Sequence, residues 1–273
     1  MIEKDLFSLK GKVIVVTGAT GVLGYSFIKA ISAAGAALAV MGRNEKVANE
    51  RVAEIIAAGG KAIALIADVQ NENALKDCCQ KVIDAFGKID GLVNAAGGNV
   101  PEAVLQPQDD LFSMNIDGMK KAMDVNLWGT VLPTLIFGKA IAENGNGSIV
   151  NISSVSVPRT LTKVLGYSMG KSAVESFNKW MAVELANRYS DKIRMNALVP
   201  GFFLTEQNRT LLTNGDGSYT SRGEAVIKQT PFKRFGSPDE LGGALVWLLS
   251  DASKFVTGTT ITVDGGFTSF SGV

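Results

Sequence analysis

Short apolar runs alternate with helix-forming stretches along this whole chain, and that alternation leaves few folds open to it. The first run, Val13-Ile14-Val15-Val16, is β-branched throughout, the composition of a strand buried on both faces. A glycine-rich turn over Thr17–Gly24 leads into an alanine- and isoleucine-rich helix to about Ala34; Gly35 stops it, and Ala37–Met41 is a second strand. Strand, crossover helix and strand complete one unit of the usual size. The pattern repeats with a helix near Lys46–Ala58, a strand at Ala62–Ile66, a helix over Glu72–Phe86 and a strand at Gly91–Asn94. After a loop with Pro101 and Pro107 come a helix over roughly Lys120–Ala142, a fifth strand ending at Ile152 and a helix to about Tyr189. A strand at Ile193–Leu198, an irregular segment over residues 202–236, a helix at Asp239–Leu249 and a strand at Thr260–Val263 complete the chain. Such alternation predicts an α/β fold, a doubly wound parallel sheet of about seven strands with helices on both faces. With no linker, repeat or low-complexity block, residues 1–273 read as a single domain, and 202–236 as a substrate loop or lid.

Composition narrows the chemistry. With 27 basic and 26 acidic residues the net charge is +1, without the basic surplus of an electrostatic nucleic-acid binder. There is no histidine, which excludes Ser-His-Asp triads, Cys-His dyads and histidine-containing zinc sites. No metal is expected, and any general acid or base must be Tyr, Lys, Asp, Glu or Cys. Cys78 and Cys79 are adjacent and make no disulfide framework, which suits a reducing compartment. The start, Met1-Ile2-Glu3-Lys4-Asp5, lacks an apolar signal core, and no run approaches the ~20 apolar residues of a membrane span. The expectation is a soluble cytoplasmic protein that acts on a small molecule and has no nucleic-acid or membrane partner.

Ligands on a doubly wound sheet bind beyond the carboxyl ends of its strands. The chemistry-bearing residues collect there. Gly18, Thr20, Gly21, Val22, Leu23 and Gly24 follow the first strand, Arg43 the second, and Asp68 and Val69 the third. Asn94 ends the fourth strand, Ser154 follows the fifth, and Pro200, Gly201, Phe203 and Thr205 follow the sixth. A glycine-rich turn opening a helix presents backbone N–H groups to a phosphate. Tyr167 and Lys171 are four apart, on one helical face. Singly, these residues read as a packing tyrosine, a solvated lysine and an N-cap serine; it is their convergence on one sheet edge that makes a site. Gly59-Gly60 and Gly265-Gly266 read as turn glycines only.

On these residues the sequence resembles the short-chain dehydrogenase/reductase family over essentially its whole length, which implies a Rossmann-like fold. Thr17-Gly18 with Gly24 is similar to that family's cofactor turn, and Asn94-Ala95-Ala96-Gly97 to its motif after strand four. Asn126, Ser154, Tyr167 and Lys171 match its catalytic set, and Pro200-Gly201 with Thr205 its nicotinamide-side loop. The sequence departs from the pattern at Val22, where glycine is usual, and at Ala95, where a second asparagine is usual. Gly21-Val22-Leu23-Gly24, Ala96-Gly97-Gly98-Asn99, the run Pro200–Arg209 and the ending Val263–Phe267 further resemble the D-mannonate oxidoreductase (fructuronate reductase) branch.

A free tyrosine is a poor base at neutral pH. A neighbouring ammonium favours the phenolate, so Lys171 is expected to lower the pKa of Tyr167 and let it act as general acid or base. Ser154 would hydrogen-bond the carbonyl oxygen. The resemblance implies that Lys171 also holds the nicotinamide ribose and that Asn126 orders a water linking the lysine to solvent. Gly42 stands where NAD-dependent relatives carry an acid, and Arg43 follows it, which favours NADP(H) with NAD(H) as the alternative. A sugar-acid substrate needs a cation for its carboxylate: Arg159, Lys163 and Arg209 are candidates, with Asn99, Gln207 and Asn208 for hydroxyls. The expected reaction interconverts a ketone and a secondary alcohol on a sugar acid, D-fructuronate and D-mannonate first. A reductase of 5-ketogluconate or of a 3-oxoacyl thioester, or a cofactor-binding regulatory protein without turnover, stays open. The apolar carboxyl-terminal third (Leu241, Leu245, Val246, Trp247, Leu248, Phe255, Phe267, Phe270), with the resemblance, implies subunit contacts in a homotetramer.

Overall fold

The computed structural model describes residues 5–106, 108–205 and 209–273, with 210 and 211 described by their backbone alone. Each apolar run becomes a strand: β1 (Val13–Thr17), β2 (Ala37–Gly42), β3 (Lys61–Ile66), β4 (Gly91–Asn94), β5 (Gly147–Ile152), β6 (Ile193–Pro200) and β7 (Thr260–Val263). They form one parallel sheet in the order β3-β2-β1-β4-β5-β6-β7. The chain steps outward from β1 to β3, then returns to the other side of β1. The switch point lies between β1 and β4, where Thr17 pairs with Asn94, and a ligand crevice opens there in folds of this kind.

Helices α1 (Val22–Ala33), α2 (Glu45–Ala57), α3 (Glu72–Phe86), α4 (Ile116–Met123), α5 (Gly129–Glu143), α6 (Leu165–Arg188), α7 (Arg209–Leu212), α8 (Ser221–Gln229) and α9 (Gly242–Leu249) account for the rest. Strand alternation feeds two cores. Ile14, Val16, Leu38 and Val40 meet Phe27 and Ile31 of α1 and Leu245 and Leu248 of α9 on one face. Val13, Val15, Ala39 and Met41 meet Leu75 and Val82 of α3, Phe137 and Ile141 of α5, and Leu185 of α6 on the other. Each fully buried side chain of this size contributes roughly 1.5–3 kcal/mol. Asn44, Asn71 and Asn115 cap α2, α3 and α4 by accepting the N–H groups of Val47, Ala74 and Gly118 at 3.1, 3.1 and 2.9 Å.

Three expectations change. The single helix at Lys120–Ala142 is α4 and α5 joined by a π-turn, Asp124–Trp128, with Pro133 inside α5. The continuous helix Ile116–Glu143 is long and apolar enough to cross a membrane by length and composition, although no unbroken apolar run announced it. Its Phe137 and Ile141 are instead fully buried against the sheet. Leu241, Leu245 and Leu248 belong to the core, so within the apolar carboxyl-terminal third these three side chains cover the sheet. The described residues of 202–236 are also more ordered than an irregular loop. Phe203 and Gly236 bridge at its two ends, and α7, α8 and the turn between Thr213 and Tyr219 enclose a small core of Leu212, Val226 and Phe235.

Candidate active site

Building outward from the switch point, the Thr17 hydroxyl accepts the N–H groups of Ala95 and Ala96 at 3.1 and 3.2 Å, locking the chain after β4 onto the end of β1. Gly18 then turns with φ +63°, so close to that chain that a Cβ would lie 2.6 Å from the Ala95 oxygen. Gly21 holds the N-cap of α1 at φ −78° without a side-chain cap, and no acidic residue occupies the first turn. Unlike α2, α3 and α4, this helix leaves its first amides to whatever enters the cleft in front of them.

That cleft has a volume of about 490 Å³. Gly18, Thr20–Gly24, Arg43, Asp68, Val69, Ala95–Gly97, Gly201, Phe203 and Thr205 all line it, as anticipated. Val125 and Phe202 line it as well; their only signal was adjacency to Asn126 and Gly201. Arg43 is 79% exposed in its side chain and lies 3.7 Å from Asp68 across the rim. Asn94 and Pro200 lie behind the wall, buried. A Cβ on Gly97 would lie 2.6 Å from Asn126 Oδ1 and 3.3 Å from Lys171 Nζ, so the catalytic candidates begin where the cleft ends. The residues present therefore fit a nicotinamide dinucleotide: uncapped helix amides and a glycine turn for the diphosphate, with the lysine at the far end.

Ser154, Tyr167 and Lys171 come together. Ser154 is buried just past β5, with its Oγ accepting the Ser156 N–H at 3.1 Å. Tyr167 is half-buried in the first turn of α6. Lys171, 4% exposed, donates to the Ile152 carbonyl at 2.8 Å and lies 5.7 Å from the centre of the Tyr167 ring. Burial pushes the Lys171 ammonium down to about 8. Burial also pushes the Tyr167 phenol up, and a hydrogen bond with Ser154 pulls it partly back. The expected lysine-driven depression is not the balance found. The ammonium lies toward the ring and donates a hydrogen bond to the Ile152 carbonyl, so burial prevails at the hydroxyl.

Asn126 sits within the π-turn. Its Nδ2 donates to Ala122 O at 2.7 Å and Gly98 O at 2.8 Å, and its Oδ1 accepts the Gly98 N–H at 3.1 Å. The side chain braces the Gly97–Gly98 loop. A buried chain of hydrogen bonds continues behind it. Thr130 donates to Asn126 O, and Thr134 to Thr130 O. Asn94 Nδ2 donates to Thr134 and to Asn151 Oδ1, and Asn151 Nδ2 donates to Asn178 Oδ1. Thr130, Thr134, Asn151 and Asn178 were not found in the sequence. They come from three elements, and no short motif joins them.

The substrate candidates scatter. Asn99 is exposed beside Gly98, and Arg209 opens α7. Gln207 and Asn208 lie outside the described residues. Lys163 takes a left-handed φ of +75° and borders a separate cleft of about 1160 Å³ between the chain over 102–115 and α6. Arg159 donates to the Thr268 carbonyl at 3.1 Å and to the Phe270 carbonyl, so its donors hold the carboxyl-terminal tail. Asp264 folds that tail by accepting from Gly266 N–H, Thr268 N–H and Thr268 Oγ1. Phe267 stacks edge-on against Phe202 of the cleft wall at 5.1 Å.

The family model described as enoyl-(acyl carrier protein) reductase matches residues 18–268. An uncharacterised oxidoreductase of Bacillus subtilis is 39% identical over 275 residues, covering 97% of this chain and 98% of its own. A solved candidate D-mannonate oxidoreductase from Haemophilus influenzae with bound NAD is 35% identical, with a TM-score of 0.89 over 97% of this chain and 98% of that one. A gluconate 5-dehydrogenase from Burkholderia cenocepacia in complex with NADP and tartrate is 33% identical, with a TM-score of 0.85 over 97% and 98% of the two chains. The chain belongs to the short-chain dehydrogenase/reductase family. It is an oxidoreductase that acts on CH–OH groups with NAD(P).

Proposed function

We propose that the protein interconverts a ketone and a secondary alcohol on a sugar acid, with D-fructuronate and D-mannonate as the pair. The observation that carries the reading is Ser154, Tyr167 and Lys171 gathered where the Gly97 end of the cleft meets the lysine. When bound, the nicotinamide supplies or takes the hydride. Ser154 donates a hydrogen bond to the reacting oxygen, where charge develops. Tyr167 gives its proton to that oxygen in reduction and takes it back in oxidation. Lys171, one helical turn on, supplies the positive charge beside the phenol. For the substrate carboxylate the candidate cations are Arg209 at the start of α7, Arg159, whose donors meet the carboxyl-terminal tail, and Lys163, which borders the cleft beside α6. The segment over 202–236, pinned at Phe203 and Gly236, acts as the lid.

Arg43 supports NADP(H). A carboxylate at Gly42 would need a Cβ only 2.4 Å from the Thr20 side chain, so the cleft has no room there for the acid that holds a ribose 2′-OH. The resemblance of the chain to one relative with NAD and another with NADP leaves the choice to measurement. Following NADPH and NADH absorbance against ketouronates, ketogluconates and 3-oxoacyl thioesters tests both claims. Fastest turnover of fructuronate with NADPH is expected. Turnover confined to acyl thioesters overturns the sugar-acid reading, and a strong NADH preference overturns the cofactor choice.

A further inference from the structure

Arg51, in the middle of α2, lies outside the cofactor cleft and has no part in the proposed chemistry. Its guanidinium nevertheless reaches the back of the glycine turn. Nη1 donates to the Ala19 carbonyl and to the Gly21 carbonyl, the latter at 3.0 Å. The guanidinium carbon lies 4.8 Å from the centre of the Tyr25 ring, and the Tyr25 hydroxyl donates to Glu54 of the same α2 helix at 2.7 Å. Three side chains from α1 and α2 thus form a cluster behind the turn.

The two carbonyls matter because of the peptides they belong to. The Ala19 carbonyl shares its peptide plane with the Thr20 N–H, and the Gly21 carbonyl with the Val22 N–H. In a trans peptide C=O and N–H point in opposite directions. The Gly21 oxygen also accepts the Tyr25 N–H at 3.0 Å, so α1 shares in setting that peptide, whereas the Ala19 oxygen is drawn back by the guanidinium, which turns the Thr20 N–H the other way; Thr20 and Val22 are residues of the cleft lining. An arginine is suited to this, since its planar fork stays charged and stacks on an aromatic ring while donating.

We propose that Arg51 is a positioning residue for the cofactor diphosphate: it fixes the Ala19–Thr20 and Gly21–Val22 peptides with their N–H groups toward the cleft and adds a positive charge behind them. Tyr25 and Glu54 hold the guanidinium in place. The proposal rests on the nicotinamide dinucleotide assignment, and predicts a defect confined to ligands that carry a diphosphate.

Arg51→Met keeps an unbranched stem on the Tyr25 ring and removes the donors; Arg51→Lys restores a cation. Binding of NADPH, NADH, ADP and adenosine is measured by titration, with melting temperatures alongside. Arg51→Met is expected to weaken ADP and both dinucleotides by about tenfold or more while adenosine stays within about twofold, and Arg51→Lys to recover a substantial part of the loss. Turnover at saturating cofactor should stay within about threefold, because the amides act on binding rather than on the reacting atoms. Unchanged ADP affinity in Arg51→Met overturns the proposal. So does an equal weakening of adenosine and ADP with a fallen melting temperature, the signature of a merely structural role. A wild type that binds neither dinucleotide overturns the cofactor assignment itself, and the proposal with it.

Discussion

Lys171 shows what a proton-transfer site costs the fold. Its ordinary value of 10.5 falls to about 8 because the ammonium is buried. Between those two values the unfolded chain binds more protons than the folded one, so stability rises with pH through that window and the full penalty is present below about 8. Lys171→Met should therefore raise the melting temperature at pH 7, by the equivalent of about 1–3 kcal/mol less the lost Ile152 hydrogen bond. The gain should fade toward pH 10.5. Equal melting shifts at both ends of the window would show that burial of the charge carries no penalty. Tyr167→Phe is expected to cut kcat by about 10²- to 10⁴-fold with cofactor affinity nearly unchanged. Asn126 belongs to a different category. Asn126→Ala strips partners from Gly98 and Ala122 and should destabilise the protein by about 1–3 kcal/mol in denaturant titration. The sequence identified Asn126 by its neighbours Asp124 and Val125, but its partner Gly98 lies in another loop. Residue type and motif gave its place; only the fold could give its job.

Among elements, what was legible follows from what is local. Strand runs and the glycine turn repeat within a few residues, so all seven strands and most of the residues that line the cleft at the switch point were read from patterns. The π-turn and the inward face of α9 were not, because each depends on what packs against it. Arg159 is the clearest case. In sequence it is a loop cation between Ser154 and Tyr167, open to a substrate carboxylate. In the fold the carboxyl-terminal tail returns beside β6, where Gly201 lets Asp264 approach so closely that a Cβ would sit 2.6 Å away. Two tail carbonyls then take the guanidinium. A double-mutant cycle separates the two roles. If Arg159 works by holding the tail, Arg159→Ala and a chain ending at Gly266 should raise the substrate KM to a similar extent, and the combination no further. Multiplying effects would mean that Arg159 meets the substrate itself.

At the scale of the whole molecule, the apolar surface left uncovered lies only partly where the sequence pointed. Leu241, Leu245 and Leu248 are spent on the core, and of the carboxyl-terminal candidates Phe255 stands fully exposed. Further exposed apolar side chains lie on the outer sides of α6, which carries Tyr167 and Lys171, and of α5 with the π-turn before it. Trp128 and Leu135 are 50% and 54% exposed where the π-turn enters α5, and Trp180 and Val183 are 60% and 57% exposed on α6. Large aromatic side chains left half in water on two adjacent long helices are characteristic of an interface rather than of a free surface. A two-fold axis through such a face would set α5 and α6 of one copy against the same helices of a second. A second axis near Phe255 would complete the tetramer that the resemblance implied. Such an interface would link assembly to catalysis, because α6 begins with Tyr167 and Lys171 and its outer face is the one that would be braced. Trp180→Glu places a charge in the middle of that face. Light scattering should show wild type as a tetramer and the variant as dimers or monomers, with kcat reduced and cofactor binding retained. A wild type that is monomeric at micromolar concentration, or a tetramer indifferent to Trp180→Glu, would remove α5 and α6 from the interface.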